Sequence, residues 1–408
     1  MTRRRQRLNV GALVAFILAV LLALLGLRQL DVIPAPRRDA LRLTSAPRAL
    51  DTRSHGRMGH RWHSLRGDRL STEEERVDRS ALDASRYTVH VGIYPTSIYD
   101  LDLRIPSYSS NGYVWLRWQE PMQLYLDERG ITMADRITLL NSLLSDAEPQ
   151  LIPVRGTPER LSDGSYYQRF TYVGRFYIDR ASYRQYPFMR VSLPLAIEAD
   201  DVDGELGYQY LRLLPEIRDS GIGLYTKIIG WLTDGWSIAE YRHHYGTNFG
   251  IDGPETDYSQ VVFDISLGTS AWASFWRLFL PLAVLMAMVL LVFKIRPDEQ
   301  DARATIPVTV LLTLVFLQQS YRAELPGLPF LTFLDQVYVI AYVVTLIAFV
   351  LVLWIGRRYG ELASLEDSQA RDLLEDRLHH LDEAWPVVVV ISSSVLIGLA
   401  WLMIPSAL

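Results

Sequence analysis

The chain has 408 residues, and its 41 Lys and Arg against 46 Asp and Glu leave a net charge of −5. This mild negative charge, without a basic stripe of interleaved aromatics, excludes nucleic acid as an expected partner. The absence of cysteine excludes disulfides and thiolate metal sites. The length allows roughly two or three domains. Because no GxSxG, HExxH or phosphate-binding glycine loop occurs, we do not expect an enzyme.

The N-terminal segment, residues 1–30, is basic and then apolar. Met1 to Arg7 carries the arginines, and Val10 to Leu27 is an unbroken apolar run. This run fits a short spanning helix or a long signal-peptide core. Since Leu27 to Leu30 makes a poor cleavage site, we favour an uncleaved signal anchor. Either way, the positive-inside rule keeps the arginines in the cytoplasm and sends the following segment outside.

Residues 31–86 are rich in Arg, Asp, Ser and His and show little apolar periodicity. Such a composition cannot bury enough apolar surface to fold alone, so we predict a flexible extracytoplasmic tether. Its histidines His55, His60 and His63 are irregularly spaced and have no carboxylate cluster beside them. We therefore interpret them as solvated, and we predict neither a metal site nor another cofactor.

Residues 87–270 contain short alternating apolar runs separated by turn residues, which is the pattern of strands. The runs are Tyr87–Tyr94, Tyr113–Gln119, Tyr166–Ile178, Phe188–Ile197, Tyr208–Ile217, Trp236–Tyr245 and Tyr258–Leu267. This number of strands with inward aromatics predicts an all-β, immunoglobulin-like sandwich outside the membrane. One stretch, Ala134 to Leu144, is predicted to be helical.

Residues 271–408 contain four apolar blocks, which predict a four-helix transmembrane bundle. The blocks are Phe275–Ile295, Asp298–Pro326, Leu334–Ile355 and Pro386–Ile404. A charged helical loop, residues 357–384, separates the last two, and its stretch Glu361–Glu383 mixes acidic and basic residues. The cations that favour a cytoplasmic side are Lys294, Arg296, Arg303, Arg357 and Arg358. This topology places the β domain and the C-terminus outside.

The second apolar block carries polar residues on one helical face. Thr305, Thr309, Leu312, Phe316 and Gln319 follow at spacings of four, three, four and three residues. The face is polar at both ends and apolar in the middle, a pattern typical of a water-filled pore that gates by dewetting. The alternative is an ordinary membrane helix whose threonines bond neighbouring helices or its own backbone.

This arrangement resembles the pentameric ligand-gated ion channels, in particular the bacterial members that lack the cysteine loop. The stretches that carry the resemblance are Val91–Asp102 (VGIYPTSIYDLD), Tyr113–Trp118 (YVWLRW), Asp179–Leu193 (DRASYRQYPFMRVSL), Leu280–Pro281 and Glu324–Val343 (ELPGLPFLTFLDQVYVIAYV). The resemblance covers Tyr87 to the C-terminus. It implies a homopentamer in a bacterial inner membrane, with lipid and inorganic ions as further partners.

The resemblance also implies roles along the second block. Thr305 and Thr309 would form polar rings, Leu312 the central apolar gate, Phe316 the ring above it, and Gln319 the outer vestibule. Asp301 and Glu299 fall at the cytoplasmic mouth, where rings of carboxylates favour cations. Both can equally serve as partners of the helix dipole. The nearby Arg303 opposes cation selectivity unless it turns away from the axis.

The residues expected to couple the β domain to the pore are Asp100, Asp102, Tyr186, Pro187, Phe188, Glu324 and Pro326. Two departures from the family pattern occur here. Met189 stands where the family has an aspartate, and Thr269 and Ser270 stand where its arginine partner would be. Both halves of a buried ion pair are thus missing together, which is coherent because a single buried charge is costly. Pro307 lies early in the pore helix.

An agonist would bind, by this resemblance, between subunits under the loop 245–258, with Tyr245, Phe249 and Tyr258 as aromatic contacts for a cation. An unknown small molecule and protons both remain open as the agonist, and the aromatics can equally pack the loop. The prediction is therefore a channel subunit that conducts cations. The alternative is a non-conducting membrane receptor or scaffold of the same fold that signals through residues 361–383.

Overall fold

The structure, a computed structural model, describes residues 87–143, 151–178, 180–199, 210–244, 257–296, 299–362 and 368–402. The predicted membrane anchor (1–30) and the predicted tether (31–86) with its histidines lie outside the described residues. The chain forms two compact units. The helical unit contains Tyr183–Met189 and the chain from Thr269 onward, and the sheet unit contains the other described residues.

The sheet unit contains eleven strands in the part of the chain that the structure describes. They are β1 Tyr87–Asp102, β2 Ser107–Trp118, β3 Ile137–Leu139, β4 Ile152–Pro153, β5 Glu159–Arg160, β6 Tyr166–Tyr177, β7 Arg180–Ala181, β8 Arg190–Ala199, β9 Leu211–Pro215, β10 Trp231–His244 and β11 Asp257–Thr269. The first sheet has the order β4-β6-β2-β1-β9, with β5 also paired to β6. The second has the order β10-β11-β8-β3, with β7 also paired to β8.

The core of the sheet unit comes from the alternation of side chains along the strands. In the first sheet, Val91 lies opposite Leu116, and both are fully buried. Across the two sheets, the Tyr108 hydroxyl donates to the Pro194 carbonyl oxygen at 2.5 Å. A β domain of two sheets is therefore confirmed, and period-two burial is the physical reason that the sequence reveals it.

The predicted helix at Ala134–Leu144 is wrong. The helix α1 lies earlier, at Glu120–Arg129, and the predicted stretch instead contains the end of a 3-10 turn and strand β3. Pro121 stands at the helix start, and Gly130 ends it with a φ of 65°. A proline at the first turn and a left-handed glycine after the last are strong boundary signals, and here they outweigh the weak periodicity further on.

Four helices of the helical unit are long and apolar enough to cross a membrane. They are α2 Ala271–Lys294, α3 Gln300–Arg322, α4 Phe333–Leu362 and α5 Ser368–Leu402. The predicted four apolar helices are thus confirmed. The charged stretch after residue 367 is not a separate helix, because α5 continues from it through Pro386 into the apolar block.

α2 contains a local irregularity, and the start of α3 is bonded to α4. A π turn at Phe275–Phe279 precedes Pro281, where the missing backbone N–H interrupts regular helical bonding. At the start of α3, Gln300 Nε2 donates to the Gly356 carbonyl oxygen on α4 at 3.0 Å. A Cβ at Gly356 would lie 3.0 Å from the Gln300 amide carbon, so a glycine allows this close approach.

Candidate functional site: the exposed face of helix α3

The polar face of α3 is not packed against the rest of its bundle. All the predicted pore-lining residues, Thr305, Thr309, Leu312, Phe316 and Gln319, are exposed in the single chain. Leu312 is 58% exposed and Phe316 is 66% exposed, whereas Val310 and Leu314 on the opposite side are at most 1% exposed. The helix therefore has one packed side and one side that is open for another partner.

The threonine hydroxyls of this face bond to their own helix. Thr305 Oγ1 donates to the Asp301 carbonyl oxygen at 2.7 Å, and Thr309 Oγ1 donates to the Thr305 carbonyl oxygen at 3.0 Å. Bonding of threonine hydroxyls to the backbone of their own helix is also expected of an ordinary membrane helix, which was the alternative to a pore helix. It satisfies the hydroxyl protons, while the oxygen lone pairs on the exposed face remain able to accept bonds from water.

The exposed sides of the other three membrane-length helices are different in character. Their exposed sides carry many large apolar side chains: Trp272, Trp276, Leu280, Val284 and Leu291 on α2, Val339, Val343, Leu346, Ile347, Val350 and Leu353 on α4, and Val388, Ile391, Val395, Leu396 and Leu399 on α5. Such surfaces suit lipid tails. Exposed polar residues also occur, with Arg277 and Lys294 on α2 and Ser392 and Ser394 on α5. On α3 the exposed face has Thr305 and Thr309 toward one end and Gln319 toward the other, with Leu312 and Phe316 between them.

Acidic side chains stand at the N-terminal end of this face. Glu299 occupies the residue before α3, and Asp301 lies in its first turn; both are exposed. A carboxylate in the first helical turn is favourable because the helix dipole is positive there. Arg303 does not share their exposure: its side chain is buried and its Nη2 donates to Asp382 Oδ1 on α5 at 2.7 Å.

A buried polar cluster at the C-terminal end of α3 was not predicted from the sequence. Asp335 Oδ1 accepts bonds from the Tyr321 hydroxyl and from Arg322 Nε, the latter at 2.9 Å. Asp335 Oδ2 accepts from the N–H and hydroxyl of Thr332, both at 3.0 Å. The signal that could have found it is the Thr-x-x-Asp spacing of a capping box at the start of α4.

The segment Tyr183–Met189 packs against the helices of its own unit. The Phe188 ring stacks on Phe279 at 5.8 Å and meets Trp401 edge-on at 5.6 Å. The Tyr186 ring stacks on Tyr321 at 5.9 Å, and the Tyr186 carbonyl oxygen accepts a bond from Leu334 N at 3.2 Å. Tyr186 thus contacts both the end of α3 and the start of α4.

Burial raises the pKa of Tyr186 to about 12, and the Glu324 carboxylate adds to this effect. The phenol is therefore neutral at physiological pH. Glu324 itself pairs with Arg277 on α2, and the nearby Pro326 is half-buried. Of the predicted coupling residues, Tyr186 and Glu324 are thus neighbours.

Neutral hydrogen bonds connect Thr269 to the segment that ends at Met189, the positions at which the resemblance would place an ion pair. Thr269 Oγ1 donates to the Pro187 carbonyl oxygen at 2.6 Å, and Thr269 N donates to the Met189 carbonyl oxygen at 3.1 Å. The Met189 side chain is 1% exposed. A charge at either position would therefore lie in an apolar or already bonded environment, so the joint absence of both charges is physically consistent.

The two predicted coupling residues of the sheet unit, Asp100 and Asp102, lie at the turn between β1 and β2. Asp100 adopts a φ of 53° and pairs with Arg175 at 3.4 Å. The Asp102 carboxylate accepts a bond from Arg104 N at 2.8 Å, and this backbone bond lowers the pKa of the carboxyl group. The Asp102 carboxylate thus stabilises the shape of the turn, and Asp100 pairs with a residue of β6.

Of the predicted ligand-binding residues, Tyr245 and Phe249 lie outside the described residues, and Tyr258 is half-buried in β11. The sheet unit has a separate open cleft of about 610 Å³ on the first sheet. Its aromatic residues are Tyr94, Tyr113, Trp115 and Tyr167. The sequence does not reveal this cleft, because its residues come from β1, β2, β5, β6 and the chain after β5 and after β9.

Charged groups fix the aromatic wall of the cleft. Trp115 Nε1 donates to Glu216 Oε2 at 2.6 Å, and Arg117 pairs with the other Glu216 oxygen at 2.8 Å. The Arg169 guanidinium lies 5.3 Å from the centre of the Tyr113 ring. Burial lowers the pKa of the neighbouring His90, and Arg117 lowers it further. His90 is therefore held neutral near pH 7.

A comparison with models of known protein families finds no match, and a comparison with curated proteins finds no significant match. Within the described ranges there is no group of three or more His, Cys, Asp or Glu residues that could hold a metal ion.

Proposed function

We propose that this chain is one subunit of a homopentameric channel of the ligand-gated family and that it conducts cations across a bacterial inner membrane. The observation that carries the proposal is the exposed face of α3, which is polar, then apolar, then polar again. A face of this kind is poorly matched to lipid tails and is well matched to a water-filled lumen between several copies of α3.

Two further features support the proposal. The chain combines a β domain of two sheets with four membrane-length helices, which is compatible with the sandwich and four-helix bundle of that family. The exposed charges at the start of α3 are Glu299 and Asp301, which attract cations if they stand at a mouth. Leu312 and Phe316 form the apolar belt that would close the lumen by dewetting.

The ligand in this proposal is an extracellular small molecule. Besides the loop 245–258, the aromatic cleft around Trp115 is suited to a small cation, because tyrosine and tryptophan faces attract positive charge. Protons remain the other candidate signal; the cleft is lined by the carboxylates Glu159, Glu216 and Asp219, and His90 interacts electrostatically with Arg117 and Glu216 of its wall. Comparing wild-type currents at pH 7.5 and pH 5 without added ligand tests for proton gating, and the same comparison in His90→Gln tests whether His90 is the sensor.

The test of conduction is the ionic current of the full chain in liposomes. Wild type and Leu312→Ala are compared under a sodium gradient, with assembly checked by size-exclusion chromatography. We expect a standing sodium current from Leu312→Ala. If assembled Leu312→Ala protein carries no current across pH and voltage, the channel proposal is wrong.

The second candidate is a non-conducting receptor or scaffold that signals through residues 361–383. The observation that favours it is the exposed, mixed-charge surface of the first half of α5, where Asp376 and His380 are 70% and 74% exposed. Deleting the whole stretch is a poor test because it removes Asp382. We expect that replacing the exposed Asp376 by Asn and His380 by Gln leaves the ionic current intact if the chain is a channel. If it is a receptor, the same replacement should reduce the signal transmitted through residues 361–383.

A further inference from the structure

The arginine in the first turn of α3 is placed unusually for a cation. Arg303 lies two residues after Asp301, near the helix end where the dipole is positive and where a guanidinium is disfavoured. If Arg303 faced the same side as Asp301, its charge would cancel that of the carboxylate. Its direction therefore matters for any ion that approaches this end of the helix.

The structure turns Arg303 to the packed side. Arg303 as a whole residue is 1% exposed. The side chain of Arg303 is 2% exposed, and that of its partner Asp382 is 7% exposed. The Nη2 to Oδ1 distance is 2.7 Å, and the guanidinium lies 6.0 Å from the centre of the Phe293 ring. The guanidinium and the carboxylate thus form a buried ion pair. Removing one partner of such a pair is costly because the other charge stays buried without compensation.

Within the described residues, Arg303 Nε has no hydrogen-bond partner. The guanidinium is thus incompletely satisfied even with Asp382 present, and its charge-assisted hydrogen bond is the one to Asp382. Neutralising Asp382 removes the counter-charge and leaves a long, flexible cation that water can solvate better. Arginine side chains reach solvent readily by extending along a helix surface.

We propose that Asp382 is a selectivity-determining positioning residue: it holds Arg303 on the packed side of α3, so that Glu299 and Asp301 set the charge of the exposed face. This inference rests on the proposed channel function. The two carboxylates contribute a charge of −2 per chain, and release of Arg303 changes this to −1 (−2 plus +1). The exposed Arg296 in the connector contributes equally in both states.

The first experiment measures the position of Arg303 without any current. Purified full-length protein in nanodiscs is treated with phenylglyoxal, which modifies accessible guanidinium groups, and the modified arginines are identified by mass spectrometry. In wild type we expect protection of Arg303 and modification of the exposed Arg296. In Asp382→Asn we expect Arg303 to become modified, whereas in Asp376→Asn, an exposed aspartate on the same helix, it stays protected. Modification of Arg303 in wild type would overturn the inference even if Asp382→Asn fails to fold.

The second experiment measures reversal potentials in a NaCl gradient, with Leu312→Ala as background in every variant. We expect Asp382→Asn to lower the sodium-to-chloride permeability ratio several-fold. The double variant Arg303→Gln with Asp382→Asn has no guanidinium to release. Its sodium-to-chloride permeability ratio should therefore be at least as high as that of Leu312→Ala alone. A purely structural role of the pair would reduce the current but leave the reversal potential unchanged, and that result overturns the inference.

The two experiments separate this inference from the channel proposal. If Arg303 is protected in wild type and released in Asp382→Asn, but no variant conducts, the channel proposal fails while the placement of Arg303 by Asp382 stands. If current flows and Arg303 is released without a change in reversal potential, the channel proposal stands and the selectivity role of Asp382 is wrong.

Discussion

Two leucines on α3 allow the proposed gate to be tested with a matched control. Leu312 and Leu314 are two residues apart on the same helix, yet Leu312 is 58% exposed and Leu314 is fully buried. Replacing each by Ala makes the same chemical change on opposite sides of the helix. The first replacement shortens the proposed apolar ring, and the second leaves a cavity inside the bundle.

The expected magnitudes differ accordingly. Leu→Ala removes three carbons, worth about 2.4 kcal/mol of apolar surface at about 0.8 kcal/mol per CH₂. Leu312 is 58% exposed, so that fraction of the apolar surface faces the proposed lumen. The free-energy cost of hydrating the ring should therefore fall by about 1.4 kcal/mol per chain. That corresponds to about a tenfold change in the closed-to-hydrated ratio per chain. Leu314→Ala should instead destabilise the fold by about 2–5 kcal/mol, because the site is fully packed.

The assay combines liposome currents with thermal unfolding of the same preparations. We expect Leu312→Ala to conduct without a ligand and to unfold near the wild-type temperature. We expect Leu314→Ala to unfold at a lower temperature and to show no standing current when assembled. Equal standing currents from both variants would show that loosened packing, not a shorter ring on the exposed face, opens the path, and the reasoning about α3 would be refuted.

The remaining predictions concern charge, pH and the unpredicted cluster. Asp301→Asn in the Leu312→Ala background should lower the preference for sodium over chloride, read from the reversal potential; an unchanged potential would place Asp301 away from the ion path. Because the pKa of His90 is lowered in the fold, its contribution to stability is present above the unfolded pKa of about 6.5 and is lost as pH falls through the folded value. Thermal unfolding of His90→Gln should therefore depend less on pH below about 6.5 than that of wild type; identical pH profiles would contradict this. Asp335→Asn should destabilise the helical unit by about 3 kcal/mol or more, since it weakens the charge-assisted bonds from Tyr321 and Arg322. Denaturation that matches wild type would show that these bonds contribute little.

The sequence by itself determined the features that depend on local periodicity. Alternating apolar residues revealed the long strands β1, β2 and β6, because each strand buries one side of its pleat. Long apolar runs revealed the four membrane-length helices. The exposed side of α3 was also predictable, since helical spacing places Thr305, Leu312 and Gln319 on one face whatever the helix packs against.

Only the tertiary structure decided how distant residues meet. The pairing of Arg303 with Asp382 joins positions 79 residues apart, and no spacing rule within one helix predicts it. The cleft around Trp115 likewise draws its walls from separate strands and a loop. Asp335 had a local capping signal, but its bonds to Tyr321 and Arg322 depend on how α3 and α4 approach one another. The physical reason is that periodicity states which side of an element is apolar, whereas the partner of a buried charge is set by packing between elements.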